Sequence, residues 1–213
     1  MKILAIETSC DDTSSSVVEN GNKVLSNIIS SQISVHAKYN GVVPELASRE
    51  HIKNVNIVVE QALQQAKISF ENFDKEIDYI TCTYGPGLAG SLLVGVMTAK
   101  TLSYIYKKPL IPVNHIEGHI FSAAIENKNL KTPFLAVVIS GGHTELVIIK
   151  DYGKYKFLGG TRDDACGEAF DKAAKILGLP YPGGPIIDKF AEQGNNDAVH
   201  FTRPDRKSTR LNS

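Results

Sequence analysis

The sequence predicts an α/β fold made of two similar subdomains that face one cleft. Two stretches carry this prediction, AIETSCDDTSSSVV at residues 5–18 and VVISGGHTELVII at residues 137–149. Each is an apolar strand that ends in a loop of small or hydroxyl residues and continues as a hairpin, a repetition typical of duplicated units. Hydrophobic residues make up 42% of the 213-residue chain and charged residues 22%, a balance typical of a globular core.

The first half of the chain predicts three strands, a helix, and two further strand–helix units. KILAIET is a short strand, and Asn20-Gly21-Asn22 is the turn of the hairpin that follows. Apolar residues at helical spacing predict a helix over residues 44–66, with Pro44 in its first turn. Later elements are a strand at 77–84, a helix after GPGLAG, a strand at 109–115 and a helix over 115–126.

The second half predicts one strand, a hairpin and two helices. FLAVVIS, residues 134–140, is almost wholly apolar, which predicts a strand buried on both faces. After the hairpin, a helix is expected over residues 166–179, ended by Gly178 and Pro180. A last helix starts at PIIDKFAEQG.

Net charge, cysteine content and apolar runs bear on the partners and the cellular setting of the protein. The formal net charge is zero, which neither favours nor excludes a nucleic-acid partner, because a basic patch can lie within a neutral chain. The three cysteines are widely spaced and odd in number, which argues against a disulfide framework and favours a reducing, cytoplasmic setting. No apolar run approaches the ~20 residues of a membrane span, so we expect no membrane association.

His115 and His119 form the sharpest chemical signal. Side chains four apart on a helix share a face, so both imidazoles can reach one cation, but two ligands alone bind a metal weakly. Glu117 lies roughly 200° round the helix from His115, so the pair lacks the base of a metalloprotease. Two surface or capping histidines are an equally good interpretation of the spacing alone.

Several loops carry weaker signals. GPGLAG matches a dinucleotide fingerprint, but no acidic residue follows at the expected distance, which favours a tight turn with close helix packing at Gly90 and Gly95. SGGHT can bind a phosphate or form an ordinary turn. SCDDT can bind, activate or cap, and Asp171 and Asp188 can contact a ribose or only solvent.

Taken together, seven motifs resemble one family. In order they are IETSCDDTS, PELASREH, GPGLAGSLLVG, VNHIEGH, SGGHTEL, GEAFDKAAKILGLPYPGGP and FTRP. The chain from Met1 to about Pro204 is similar to the tRNA threonylcarbamoyladenosine biosynthesis proteins, relatives of the Kae family once called O-sialoglycoprotein endopeptidases. The resemblance implies an actin-like ATPase fold, with a complete first lobe at 1–130 and a partial second lobe at 131–204. Family members are longer, so we expect a C-terminally truncated chain and a non-native tail at 205–213.

The resemblance also implies an activity. Threonylcarbamoyl-AMP would donate its acyl group to N6 of the adenosine 3′ of the anticodon, in tRNAs that read codons beginning with A. His115 and His119 would bind one divalent ion, iron rather than zinc, that polarises the donor carbonyl. We expect little or no activity from the 213-residue chain alone.

The resemblance also implies roles for individual residues. Asp11 would be the catalytic carboxylate. The phosphate end of the donor would lie against Val138, Ile139, Ser140, Gly141 and Gly142, and its adenosine part against Asp171, Gly184 and Asp188.

Partners implied by the resemblance are tRNA, an inactive paralogue that docks on the first-lobe helices, and a small ATPase of the same pathway. Three other classes of function are alternatives to the transferase. They are a metalloprotease, disfavoured by Glu117, and both a non-catalytic scaffold and a small-molecule kinase, disfavoured by the histidine pair.

Overall fold

A computed structural model of the chain describes residues 1–127 and 129–200, so FTRP and the tail DRKSTRLNS lie outside the described residues. The strands are β1 Lys2–Glu7, β2 Asp12–Glu19, β3 Lys23–Ser31, β4 Tyr79–Gly85, β5 Leu110–Asn114, β6 Phe134–Ile139, β7 Thr144–Asp151 and β8 Lys154–Gly160. The helices are α1 Ile33–His36, α2 Pro44–Gln65, α3 Phe73–Glu76, α4 Ala89–Tyr106, α5 His115–Glu126, α6 Cys166–Ile176 and α7 Gly183–Ala191. Short 3-10 turns lie at Ala37–Tyr39 and Phe70–Asn72.

Two sheets confirm the predicted α/β class. The larger is five-stranded and mixed, in the order β3-β2-β1-β4-β5, with β1 antiparallel to β2 and parallel to β4. The smaller is an antiparallel sheet in the order β6-β7-β8. Both begin with a strand followed by a hairpin, as the repeated sequence pattern predicts. The lobe boundary at residue 130 stays a prediction.

The larger core lies where α2 and α4 pack on the mixed sheet. Leu4 and Ile80 are completely buried there, and so is Phe73, whose ring stacks on Tyr106 at 4.2 Å between centroids. Burying a side chain of this size contributes about 1.5–3 kcal/mol. A smaller core forms between α5 and the antiparallel sheet around Ile149.

The GPGLAG segment is a packing element, as its simpler interpretation predicts. A Cβ on Gly95 would lie 2.4 Å from Thr8 Oγ1, and one on Gly90 would lie 3.2 Å from Ser48 Cβ. A Cβ on Gly87, in the turn, would lie 2.6 Å from the Ser9 carbonyl oxygen. The Leu88 N–H donates to that same carbonyl at 2.8 Å. Glycine therefore lets α4 and the turn before it approach the loop after β1.

The expectation that FLAVVIS is buried on both faces is wrong for the described structure. Val138 and Ala136 face the smaller core, but Leu135, Val137 and Ile139 are 56%, 58% and 63% exposed. β6 is an edge strand whose inner face packs on α5, and none of the described elements covers the other face closely. An apolar run indicates a strand but does not reveal how many of its faces are covered.

Candidate functional site

A cleft of about 840 Å³ opens between the loop after β1, the first turns of α5, the loop after β6, and α6. Because β1, β4 and β5 run parallel, the loop after β1 and the start of α5 come together at one edge of the sheet. The predicted site residues that line this cleft are Asp11, His115, His119, Ser140, Gly141, Gly142 and Asp171. Val138, Ile139, Gly184 and Asp188 are not part of its lining.

The histidine pair stands at the start of α5. Asn114 caps the helix, and its side-chain oxygen accepts hydrogen bonds from the N–H groups of Ile116 and Glu117 at 2.8 and 3.4 Å. This cap fixes the helix start at His115, so His119 follows one turn later on the same face. The two Nε2 atoms are 3.0 Å apart and the rings meet edge to face. Two nitrogen ligands at ~2.0–2.1 Å from one ion would be separated by about 3.0–3.4 Å, so this spacing fits a shared cation.

Glu7 and Ser9 lie behind His115. His115 Nδ1 is 3.1 Å from Ser9 Oγ and 3.4 Å from Glu7 Oε2. The Glu7 carboxylate also accepts hydrogen bonds from the Ser9 N–H and the Thr83 hydroxyl. Burial alone would raise the pKa of Glu7, but the hydrogen bonds from His115, Ser9 and Thr83 outweigh it and lower the pKa to about 2. A carboxylate therefore faces the inner side of the imidazole.

Among the described residues, the candidate metal ligands are two imidazoles, those of His115 and His119. Within residues 1–127 and 129–200, no group of three or more His, Cys, Asp and Glu side chains is placed to hold an ion. The His143 ring lies 6.2 Å from that of His115. Desolvation and the neighbouring His115 lower the pKa of His119, which keeps its imidazole neutral and able to act as a ligand. The pair fits part of a coordination shell, and metal binding stays a prediction.

Glu117 lies away from the histidine pair, as the helical spacing predicts. It does not line the cleft, and it lies near Tyr155 on β8, whose pKa is raised by burial and by the Glu117 charge. A base for a metal-bound water has to reach the metal-binding face of the helix. The geometry gives Glu117 no such reach.

Asp11 stands on a loop whose backbone is held at three successive carbonyls. Ser9 O accepts from the Leu88 N–H at 2.8 Å, and Asp11 O accepts from the Gln32 N–H at 3.1 Å. The His51 Nε2–H donates to Cys10 O at 3.0 Å. A loop anchored at each carbonyl presents its side chains from a defined backbone, which suits a carboxylate that must act on a substrate.

His51 is completely buried and belongs to a polar network that local sequence patterns did not reveal. Its Nδ1 accepts from the Thr13 hydroxyl at 2.8 Å, and Gln32 and His36 continue the network. Burial lowers the pKa of His51 more than the Cys10 carbonyl raises it. The neutral imidazole is therefore the form that the fold stabilises.

We expect the free energy of unfolding to decrease as the pH falls below about 6.5, the ordinary histidine value. The unfolded chain then binds a proton that buried His51 resists, so stability is complete above this pH and is lost towards the lowered folded pKa. Urea unfolding between about pH 7 and pH 5 measures the slope. His51→Gln should flatten it. His119, whose pKa is also lowered, contributes in the same window, so His119→Gln gives the second slope for comparison. An unchanged slope in His51→Gln contradicts the prediction.

Ser140, Gly141 and Gly142 form the opposite wall. The Ser140 N–H donates to His143 O at 2.8 Å, and the Ser140 hydroxyl accepts from the His143 N–H at 3.0 Å. A Cβ on Gly141 or Gly142 would meet nothing within 4 Å, so both glycines leave backbone exposed to the cleft. Such backbone can approach an anion closely, as the phosphate interpretation requires.

The other predicted contacts are distributed differently. The Val138 side chain is buried in the smaller core, so only its backbone is available to a ligand. Asp171 lines the cleft, and its Oδ1 accepts the Gly183 N–H at 2.7 Å, which joins α6 to the first residue of α7. Gly184 and Asp188 lie at the beginning and middle of α7.

Two further residues line the cleft: Cys10, which belongs to the SCDDT loop, and Tyr181, which was not predicted. Burial and the neighbouring Asp11 raise the pKa of the Cys10 thiol to about 12, which disfavours a thiolate nucleophile. Burial also raises the pKa of Tyr181 to about 12, with Asp11 and Asp171 adding to the shift. Its hydroxyl stays protonated and can donate a hydrogen bond.

Comparison with known proteins identifies the family. A family model described as tRNA N6-adenosine threonylcarbamoyltransferase matches residues 23–212. This chain belongs to that family. The resemblance seen in the seven sequence motifs is thereby confirmed.

Individual members of the threonylcarbamoyltransferase family are closely similar. The tRNA N6-adenosine threonylcarbamoyltransferase of Endomicrobium trichonymphae is 65% identical over 96% of this chain and 60% of its own length. That of Clostridium kluyveri is 62% identical over 95% of this chain and 58% of its own length. The chain thus spans about 60% of the length of these relatives.

Among solved structures, YeaZ from Pseudomonas aeruginosa is similar with a TM-score of 0.46 and 15% identity, covering 78% of this chain and 68% of that one.

Of the helices in the described part of the chain, none is both long and apolar enough to span a bilayer.

Proposed function

We propose that the whole protein transfers the threonylcarbamoyl group of threonylcarbamoyl-AMP to N6 of the adenosine 3′ of the anticodon, in tRNAs that read codons beginning with A. One observation carries the proposal. A single cleft contains the Asp11 carboxylate on a loop whose backbone is hydrogen-bonded, the facing imidazoles of His115 and His119, and a loop of exposed glycine backbone. Membership of the family supplies the reaction that this set of groups can serve.

In this reaction the adenine N6 forms a bond to the carbamoyl carbon, the bond from that carbon to the phosphate oxygen breaks, and AMP leaves with the phosphate charge. N6 loses one proton, which Asp11 would accept or orient. The glycine-rich loop at Ser140–Gly142 would bind the phosphate, and the backbone of Val138 and Ile139 would extend that contact. Asp171, Gly184 and Asp188 would bind the adenosine part.

His115 and His119 would hold one divalent ion, iron in preference to zinc. When bound, such an ion supplies Lewis-acid polarisation of the donor carbonyl. The 3.0 Å spacing of the two Nε2 atoms and the lowered pKa of His119 support this assignment. Because two imidazoles do not complete a coordination shell, we propose that a further ligand comes from the donor or from the part of the family that this chain does not span.

We further propose a cytoplasmic protein with an actin-like fold, of which this chain would contain the complete first lobe and part of the second. An inactive paralogue would dock on α4, where Leu93 and Met97 are 60% and 52% exposed. Large apolar side chains on one exposed helix face are typical of a protein contact. A small ATPase of the same pathway would complete the assembly.

A transfer assay tests the proposal. Residues 1–200 are joined to the remaining part of the Endomicrobium trichonymphae relative, and this chimera is compared with the 213-residue chain. Each is incubated with tRNA and threonylcarbamoyl-AMP, with and without the paralogue and the small ATPase, and the modified nucleoside is quantified after digestion of the tRNA. We expect modification by the chimera and little by the shorter chain, whose cleft would lack part of its wall.

A metal-loaded chimera that folds but leaves tRNA unmodified even with the paralogue and the small ATPase present would contradict the proposal. Cleavage of a glycoprotein by the same preparation, lost on replacement of His115, would favour the metalloprotease instead. Equal modification by both proteins would contradict only the expected inactivity of the shorter chain.

A further inference from the structure

We infer that Glu7 is a positioning residue that fixes the His115 imidazole with its proton on Nδ1. The bare Nε2, which carries no proton, then faces His119. The inference rests on the proposed function, since a bare Nε2 matters most where His115 binds a metal. It assigns a role to a side chain that the sequence motifs place at the end of a strand.

Three elements meet at the Glu7 carboxylate. Glu7 ends β1, Thr83 lies on the neighbouring strand β4, and His115 begins α5. One carboxylate oxygen accepts the Ser9 N–H, and the other accepts the Thr83 hydroxyl and lies 3.4 Å from His115 Nδ1. The carboxylate is therefore held from two sides before it meets the imidazole.

The proton position follows from donor and acceptor chemistry. An ionised carboxylate only accepts hydrogen bonds, so a favourable contact with His115 requires a proton on Nδ1. The Ser9 hydroxyl, 3.1 Å from the same nitrogen, can donate or accept and does not decide the matter. A neutral imidazole carries one ring proton, so Nε2 is then an acceptor.

The opposite side of the ring agrees with this assignment. His115 Nε2 lies 3.0 Å from His119 Nε2, and two protonated nitrogens would repel at that distance. With His115 Nε2 bare, the His119 Nε2–H can donate to it, or both nitrogens can bind one cation. Metal-binding histidines commonly donate their second ring N–H to a carboxylate, which orients the ring and fixes the tautomer.

Glu7→Gln reverses the preference without changing the shape of the side chain. The Ser9 N–H requires an acceptor, so the amide oxygen takes that position and the amide nitrogen faces Thr83 and His115. A donor now points at Nδ1, which favours the tautomer protonated on Nε2. We expect His115 to change from the Nδ1–H to the Nε2–H form.

Long-range nitrogen–proton NMR of the imidazole rings in the metal-free chain reads the tautomer directly. The matched control is Glu45→Gln, which removes a carboxylate that is 75% exposed on α2 and far along the chain from His115. We expect Nδ1–H in the unmodified chain and in the control. A proton on Nε2 of His115 in the unmodified chain would overturn the inference, even if Glu7→Gln did not fold.

Cobalt titration, followed by visible absorption, provides a second readout that needs no activity. We expect Glu7→Gln to weaken cobalt binding by about 10–100-fold and Glu45→Gln to leave it unchanged. If Glu7→Gln reverses the His115 tautomer but no variant binds cobalt, the role of Glu7 is supported and only the metal site is contradicted. An unchanged His115 tautomer in folded Glu7→Gln would refute the inference whatever the metal does.

Discussion

Replacing His115 with alanine should remove metal binding and threonylcarbamoyl transfer together while leaving the fold intact. His115 provides one of two facing Nε2 atoms, and a single remaining imidazole at His119 is a weak ligand. The change should cost more than about 100-fold in transfer, the upper end for loss of a residue that only orients a ligand. Because the His115 side chain lies at the cleft and outside both apolar cores, we expect little effect on folding.

Metal content of the purified chimera, measured by mass spectrometry, and nucleoside analysis of the tRNA provide the two readouts. His200→Ala is the control, since that histidine is exposed and does not line the cleft. A His115→Ala protein with full metal content would remove His115 from the metal site. Unchanged tRNA modification would refute the proposed mechanism.

Local signals predicted the elements well where the chain marks its own boundaries. The expected helix over 115–126 coincides with α5 His115–Glu126, since Asn114 caps it directly before the periodic residues. The expected helix over 44–66 is α2 Pro44–Gln65. The predicted hairpin turn is formed with positive φ at Asn20 and Gly21. In each case the information lies within a few residues of the feature.

Features that depend on distant parts of the chain were not predicted. The apolar run of β6 gave no sign that its outer face is exposed, because coverage depends on what packs against it. The contact of His51 with Cys10 joins residues 41 apart, and that of Glu7 with Thr83 joins residues 76 apart. No periodicity in the sequence carries such pairings.

In the candidate site, too, features that depend on nearby residues were predicted and long-range contacts were not. Helical spacing places His115 and His119 on one face, and the structure confirms that their rings meet. Glu7 was missed because a carboxylate at the end of an apolar strand resembles an ordinary exposed strand end. The charge itself was the available signal, since KILAIE is otherwise apolar apart from Lys2. The roles of Asp171 and Asp188 came from the family resemblance, because spacing alone does not select one aspartate from many.

Replacing Asp11 with asparagine should reduce transfer without removing the metal. Asparagine keeps the shape of aspartate but has no carboxylate to accept the N6 proton or orient the amine. The loop should keep its conformation, because the Cys10 and Asp11 carbonyls remain bonded to His51 and Gln32. General acid–base contributions of this kind amount to about 10²–10⁴-fold in rate. We therefore expect transfer by the chimera to fall within that range while its metal content is retained.

Single-turnover transfer at saturating donor, together with metal content, measures both effects in one preparation. Asp74→Asn is the matched control, because it makes the same chemical change on the exposed surface of α3. Transfer within a few fold of the unmodified chimera would exclude Asp11 as the base and leave it an orienting role at most. Loss of the metal from folded Asp11→Asn would contradict this separation and show that the Asp11 carboxylate supports metal binding as well as transfer.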